Sequence, residues 1–278
     1  MTIPAALSPD PKQRVTRLYD SVAAEYTEKG PPFFTYAGQR LVEIVGVSEG
    51  HRVLDVATGR GAVLLPAAER VGRAGTVTGI DLAKAMVSQT AQEIARRGLT
   101  NATVRVMDAE ALAFADASFD SALSSFAVFF FTDLPAVLSG MFRVLRPGGR
   151  VGFAFIRGKD ERWGWYSELL RAHGAFDNYP PRPGVSGILA ENRLIEFLTK
   201  AGFVNGVETP ESVDLDLGDE HTWWASLWTH GARAALERLP EATLKLVCAE
   251  ALTRARALKT ESGLLERHDF VYVTAERP

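Results

Sequence analysis

The sequence has a single cysteine, Cys248, no apolar run long enough to cross a bilayer without charge, and no excess of either charge sign. One thiol excludes an internal disulfide and any cysteine-rich metal centre; it fits a reducing compartment, with helix packing as its structural use. With 31 Lys and Arg against 34 Asp and Glu, a formal net charge of -3, nothing asks for nucleic acid or an anionic membrane as partner. The opening "MTIPAALSPDPKQR" lacks a basic segment followed by a long apolar run, so a cytoplasmic protein without membrane insertion is expected. Asn101 opens a match to a glycosylation acceptor, which without a secretion signal is chance. The absence of an HxxxH-type pair and of clustered acids argues against a metal-dependent, catechol-type mechanism, and no metal is expected.

What is present is a change of period along the chain. The 278 residues, 46% hydrophobic, suffice for one large catalytic domain with an elaboration. "RVLDVA" (52–57) and "TVTGID" (76–81) read as buried strands around a helix "AVLLPAAERVG", where Pro66 is tolerable only near the first turn. "LAKAMVSQTAQEIARRGL" is a second amphipathic helix ending at Gly98. Strands at 102–108 and 118–125, a helix at 134–145 and a strand at 150–156 complete the alternation. This predicts an α/β fold, a Rossmann-like doubly wound and mostly parallel sheet with helices on both faces. "LRPGG" reads as a turn, with Pro147 fixing φ and Gly148 and Gly149 supplying positive φ.

The flanks are helical. Two N-terminal helices, separated by the breaker "GPPFF", are expected to form a lid over residues 1–48, with residues 49–278 as the catalytic domain. Residues 157–190, including "YPPRPG", read as an irregular excursion, and 221–259 as two helices. These give cap elements at about 157–190 and 219–262, with a strand at 204–217 between them and a last one at 268–277 after them joining the sheet.

The turn after the first strand carries the chemistry. A dinucleotide turn wants a third glycine where Leu64 stands, and a phosphate loop wants a lysine followed by serine or threonine, which "GAVLLP" lacks. A ligand without phosphates, charged at an ammonium and a sulfonium, would instead welcome Asp55 at the strand end, either as a partner or as an acceptor that fixes the loop. Asp81 ends the second strand, where an acid can accept both ribose hydroxyls, and Asp108 follows the third, within reach of an adenine amino group. Each alone reads equally well as a cap or loop residue; three strands ending in aspartate on one side of a sheet is the informative pattern.

With these residues in view, "VLDVATGRG", "GIDLAKAM", "MDAEALAFADASFDSALSSF" and "RVLRPGGRV" resemble the class I S-adenosylmethionine-dependent methyltransferases, over roughly residues 50 to 156. The likeness is to the branch holding the ubiquinone/menaquinone-biosynthesis C-methyltransferases and many small-molecule methyltransferases. It implies S-adenosylmethionine as cofactor and S-adenosylhomocysteine as product. Asp55, Ala57 and Gly59 would line the methionine end, Asp81 the ribose, Leu82 and Met86 the adenine face, Asp108 and Ala109 the adenine edge, and Ser125 would touch the cofactor by its backbone. Tyr26 becomes a lid contact or, equally, a packing tyrosine, while Leu82 and Met86 also read as helix core. Arg60 departs from the small residue commoner in the family.

The implied function is methyl transfer by in-line displacement to a hydrophobic or aromatic small molecule, such as a quinone, a phenol or a related secondary metabolite. "FAVFFFTD" (126–133) offers an acceptor wall or core packing, and the tryptophans of "RWGWY" and "HTWWASLWTH" favour an aromatic acceptor over a peptide. His173, His221, His230 and Tyr19 are the candidates for a base, and none is assigned. Two other readings stand open: a protein of this fold that binds the cofactor but catalyses a cyclisation or senses it, and a NAD-dependent oxidoreductase. Self-association is open as well.

Overall fold

A computed structural model describes residues 10–26, 32–158, 160–177, 187–188 and 190–278. Helices α1 (Pro11–Val22) and α2 (Phe33–Val45) precede β1 (Arg52–Val56), α3 (Leu64–Val71), β2 (Thr76–Asp81), α4 (Lys84–Arg96), β3 (Ala102–Val106), β4 (Phe119–Ser125), α5 (Leu134–Val144) and β5 (Leu145–Ile156). Then come α6 (Gly164–Ala172), α7 (Arg193–Lys200), β6 (Val204–Asp216), α8 (Glu220–Ser226), α9 (Arg233–Leu236), α10 (Glu241–Ala257) and β7 (Leu265–Glu276). The strands form one sheet in the order β3-β2-β1-β4-β5-β7-β6. The first five are parallel, and β7 runs antiparallel to both of its neighbours. The order reverses between β1 and β4, which opens a crevice beyond the strand ends, where such sheets hold their ligands.

Successive strand residues face opposite layers. Leu54 and Val56 pack with α5 and α7 through Leu138, Met141, Leu194 and Leu198. Val53 packs with α2 and α3 through Leu41, Val45, Leu64 and Val71. Helix α2 is therefore built into the sheet's own core. A third apolar cluster, around Trp163, Leu170, Trp223, Leu236, Val247 and Ala251, joins α6, α8, α9 and α10 into a cap.

Several local expectations change. "LRPGG" does not stand outside the strand: β5 begins at Leu145, and the register slips between the Phe119–Leu145 and Ser121–Arg150 pairs, so these residues bulge within it. Gly148 has φ +75, but Gly149 is not at positive φ; a Cβ there would lie 2.8 Å from the Arg146 carbonyl, so close backbone approach explains that glycine. The 157–190 excursion contains α6, entered through a 3-10 turn at Glu161–Trp163 and anchored by Leu169 and Leu170. "YPPRPG" lies outside the described residues, as do Gly30 and Pro31 of "GPPFF", whose phenylalanines open α2. The 221–259 stretch is three helices and a 3-10 turn rather than two helices. Pro66 is the third residue of α3, within its first turn. Asn101 directs its amide to the carbonyls of Ala68 and Gly72 at 2.8 and 2.7 Å, closing the end of α3. Among the described residues no helix is long and apolar enough to cross a membrane.

The crevice depends on α2 lying close to the turn after β1. A Cβ on Gly38 would fall 2.1 Å from the Ala62 carbonyl oxygen, and backbone cannot swing aside as a side chain can. Gly38→Ala is expected to cost about 1–3 kcal/mol of stability. Thermal unfolding measures it, and an unchanged midpoint would show that the turn yields freely.

Candidate active site

The site begins with the strained turn after β1. Ala57 and Gly59 hold φ of +58 and +52, a region that side-chain-bearing residues avoid. Backbone bonds from Thr58 N to Ile80 O (2.9 Å) and from Gly61 N to Thr58 O (2.8 Å) impose it. Two carboxyl groups complete the clamp. Asp55, 1% exposed, accepts on Oδ2 the Thr58 hydroxyl at 2.6 Å and the Leu64 N–H at 3.0 Å. Asp81 accepts the Gly59 N–H on Oδ2 and the Ala83 N–H on Oδ1, both at 2.9 Å. Burial pushes Asp55 up to about 7, against the pull of its two donors and with help from the charge of Asp81. Asp81 is raised for the same first reason, its backbone donors opposing.

Asp108 follows β3. Its Oδ1 accepts the Glu110 N–H at 2.9 Å, and its Oδ2 meets Lys12 Nζ from α1 at 2.7 Å. Lys12 also lies 2.5 Å from Glu110 Oε2, while Glu110 Oε1 accepts the N–H groups of Thr132 and Asp133 and the Thr132 hydroxyl. Burial would raise Glu110; Lys12 and the Thr132 and Asp133 donors overcome it and hold the carboxyl at about 2. Helix α1 is tied down further by polar contacts near its C-terminal end. Asp20 accepts the Ala85 N–H at 2.8 Å, capping α4, whose own N-cap residue, Ala83, makes no side-chain cap bond. Arg60, buried, donates through Nη1 to the Ala23 carbonyl, which gives this unusual residue its contact.

Beneath α1 lies a cavity walled by Tyr19, Phe126, Phe130 and Phe131 on its apolar side and floored by Ala57, Gly59 and Asp81. Ser125 Oγ is buried beside it without a hydrogen-bond partner. The donor set suits a nucleoside with a positive charge: carboxyl acceptors converge, the turn carries no side chain, and Lys12 is engaged by Asp108 and Glu110.

A methyltransferase-domain family model matches residues 53–149. The chain is 34% identical over 269 residues to nocamycin O-methyltransferase of Saccharothrix syringae, across 92% of this chain and 96% of that protein. The chain belongs to the S-adenosylmethionine-dependent methyltransferases. It is also 43% identical over 170 residues, 61% of this chain and 71% of the other, to aklanonic acid methyltransferase DauC of a Streptomyces species, strain C5. The [4+2]-cyclase SpnF superposes with a TM-score of 0.59 at 20% identity over 96% of each chain, a likeness of fold alone.

In this methyltransferase Tyr26, Ala57, Gly59, Asp81, Leu82, Asp108, Ala109 and Ser125 come together around the cavity beneath α1. Asp55 lines a smaller adjoining one with Tyr26, Ala57, Gly59 and Ser125. Met86 lines neither: it is fully buried, packed with Val22, Ala23 and Ala83 where α1 crosses α4. Sequence reasoning missed Lys12 and Glu110, because nothing local links a helix residue to a carboxylate 96 positions away. Of the "FAVFFFTD" residues, Phe126, Ala127, Phe130 and Phe131 reach the cavity, whereas Val128 and Phe129 pack in the core. Among the base candidates Tyr19 lines this cavity, His221 is exposed, His173 is half-buried after α6 and His230 belongs to the cap.

Asp55 gives the methyltransferase a specific pH signature. Its folded-state value is raised above that of the unfolded chain, so between about pH 4 and 7 the folded protein holds a proton that the unfolded chain has lost, and stability falls as pH climbs through that window. The fall amounts to roughly 4 kcal/mol at most. Asp55→Asn, which keeps an acceptor for Thr58 and Leu64, should flatten it. Denaturant titrations of both proteins at pH 5 and pH 7.5 test this; equal slopes would refute the assignment.

Proposed function

We propose that this methyltransferase transfers the methyl group of S-adenosylmethionine to a hydrophobic or aromatic secondary metabolite in the cytoplasm, with α1 as the lid of its site and residues 49–278 as the catalytic domain bearing the cap. The observation that carries the reading is the convergence of Asp55, Asp81 and Asp108 on one rim, around a turn unsuited to phosphate. The cofactor supplies a methyl group on a positively charged sulfur, already activated to leave.

The residues then divide the ligand among them. Each Asp81 oxygen already holds one backbone N–H and retains a lone pair for a ribose hydroxyl. Ala57, Gly59 and Asp55 take the methionine end, where a cation offsets the cost of ionising Asp55. Leu82 and Ala109 flank the base, Asp108 accepts from its edge, Ser125 supports from the end of β4, and Tyr26 covers the site. Met86 acts from beneath, as packing for α1.

What remains for the protein is to align the acceptor with the methyl carbon and to exclude water, a contribution of about 7–11 kcal/mol when orientation is good. The names of the two relatives, an O-methyltransferase and a methyltransferase of an acid, support an oxygen acceptor acidic enough to lose its proton without a strong base.

Asp81→Ala is expected to weaken S-adenosylmethionine binding by about 100-fold or more, as two hydrogen bonds to a charged group are lost. Titration calorimetry reads this, and wild-type affinity in the variant would sink the assignment. With a panel of phenolic, quinone and polyketide-like acceptors, S-adenosylhomocysteine should appear together with a product heavier by one methyl group. A product of unchanged mass would point to cyclisation instead.

A further inference from the structure

A further cavity lies in the cap, apart from the two beside the carboxyl groups. Because β7 is antiparallel, its first residues reach the rim where β5 ends, with Ile156 opposite Phe270 and His268 just beyond. His268 is 4% exposed and lines this cavity; its Nε2 is buried without a hydrogen bond, 3.3 Å from Glu266 Oε2. Tyr166, from α6, also lines the cavity, and its hydroxyl is buried with no partner. Native proteins rarely leave such groups unmatched unless water or a ligand satisfies them. The walls between them are aromatic: Trp163 and Trp223 rings stand 4.9 Å apart, and the Tyr166 ring meets Trp223 edge-on at 5.4 Å.

We infer that this cap cavity binds the planar body of the methyl acceptor, a flat aromatic molecule bearing hydroxyl or enol groups, with Tyr166 and His268 as its hydrogen-bonding partners. The inference rests on the methyl-transfer reading and adds where the acceptor sits. The charged groups around the cavity favour a neutral ring over a phosphate. Asp160 is taken up by Arg162 and the Arg267 N–H, and Arg267 by Asp214. His230 completes the polar lining: its Nδ1 accepts the Ala232 N–H at 3.3 Å, which leaves the proton on Nε2, and burial lowers the ring to about 4, so it faces the ligand as a neutral donor.

The two cavities are separated by one layer of rings. Phe33 lines the cap cavity and packs 5.3 Å from Phe126, which lines the cofactor cavity and is held at φ +57. Phe34 stacks at 5.0 Å on Tyr26 and meets Phe126 edge-on at 5.0 Å. In-line transfer needs direct contact, so Phe33 and Phe126 must turn aside for a ring system seated against Trp163 and Trp223 to bring its reactive edge to the methyl group.

The test uses the full chain and 1-hydroxyanthraquinone, a planar phenol that is uncharged at neutral pH, read by quenching of tryptophan fluorescence. Saturable quenching is expected in the wild type. Tyr166→Phe, which removes one oxygen and no packing, and His268→Gln should each weaken it roughly five- to tenfold. S-adenosylmethionine affinity by calorimetry should stay within twofold, and in turnover the acceptor KM should rise while the cofactor KM does not. Absence of saturable quenching in the wild type, or equal affinity in both variants, would overturn the inference. Failure of S-adenosylmethionine to bind the wild type would instead strike at the methyl-transfer reading, leaving the quenching result to judge the cavity on its own.

Discussion

The site is organised around two buried carboxyl groups whose hydrogen bonds go to backbone and to Thr58, with no basic side chain among the bonds described. Asp81 joins the turn after β1 to the start of α4 through Gly59 and Ala83, and Asp55 joins the same turn to α3 through Leu64. Those bonds hold Ala57 and Gly59 in left-handed conformations and let Gly38 press against the Ala62 carbonyl. Burial in the low-dielectric crevice raises both acids, and a cation beside them would offset the cost of ionising them. The same two groups therefore shape the turn and set the charge it can hold.

Helix α1 is attached differently from α2. Its apolar contact joins Leu18, Tyr19, Val22 and Ala23 to Ala83, Ala85 and Met86, with Tyr19 edge-on to Phe130 at 5.7 Å, and its polar contacts include Lys12 to Asp108 and Glu110, Asp20 to the Ala85 N–H, Arg60 to the Ala23 carbonyl and Arg233 to the Ser21 carbonyl. Partly exposed ion pairs of this kind contribute little to stability. Lys12 also engages the Asp108 carboxylate that would accept from an adenine edge, so closure of the helix and filling of the cavity act on the same oxygens.

Much of this was legible because the chain repeats one device. The parallel strands β1 and β2 carry an acid at the same end, Asp55 and Asp81, and Asp108 follows the half-exposed edge strand β3 on that side, so the alternation of strands and helices places all three at one rim. Where the sequence is silent, the deciding contact is distant along the chain. Met86, read as adenine face or helix core, packs at the α1 interface, and Lys12 reaches its partners only after folding. Helix α6 was hidden in a stretch rich in Trp and Gly because its stability comes from Leu169 and Leu170 in the cap, not from its own propensity. "LRPGG" carries real turn residues, but pairing with β4 draws them into a bulged strand.

The reversed strand β7 connects the two halves of the molecule. Had β7 run parallel, its beginning would lie at the opposite edge, and His268 and Glu266 would stand far from the crevice. Inserted antiparallel between β5 and β6, it delivers those residues, and through Trp163 Nε1 on the Leu265 carbonyl also the start of α6, to the rim that holds Asp55 and Asp81. The cap is thereby fixed to the sheet at the rim where β5 ends. Its aromatic cavity and the carboxyl-lined one are neighbours by topology, separated by Phe33 and Phe126 and not by the thickness of the sheet.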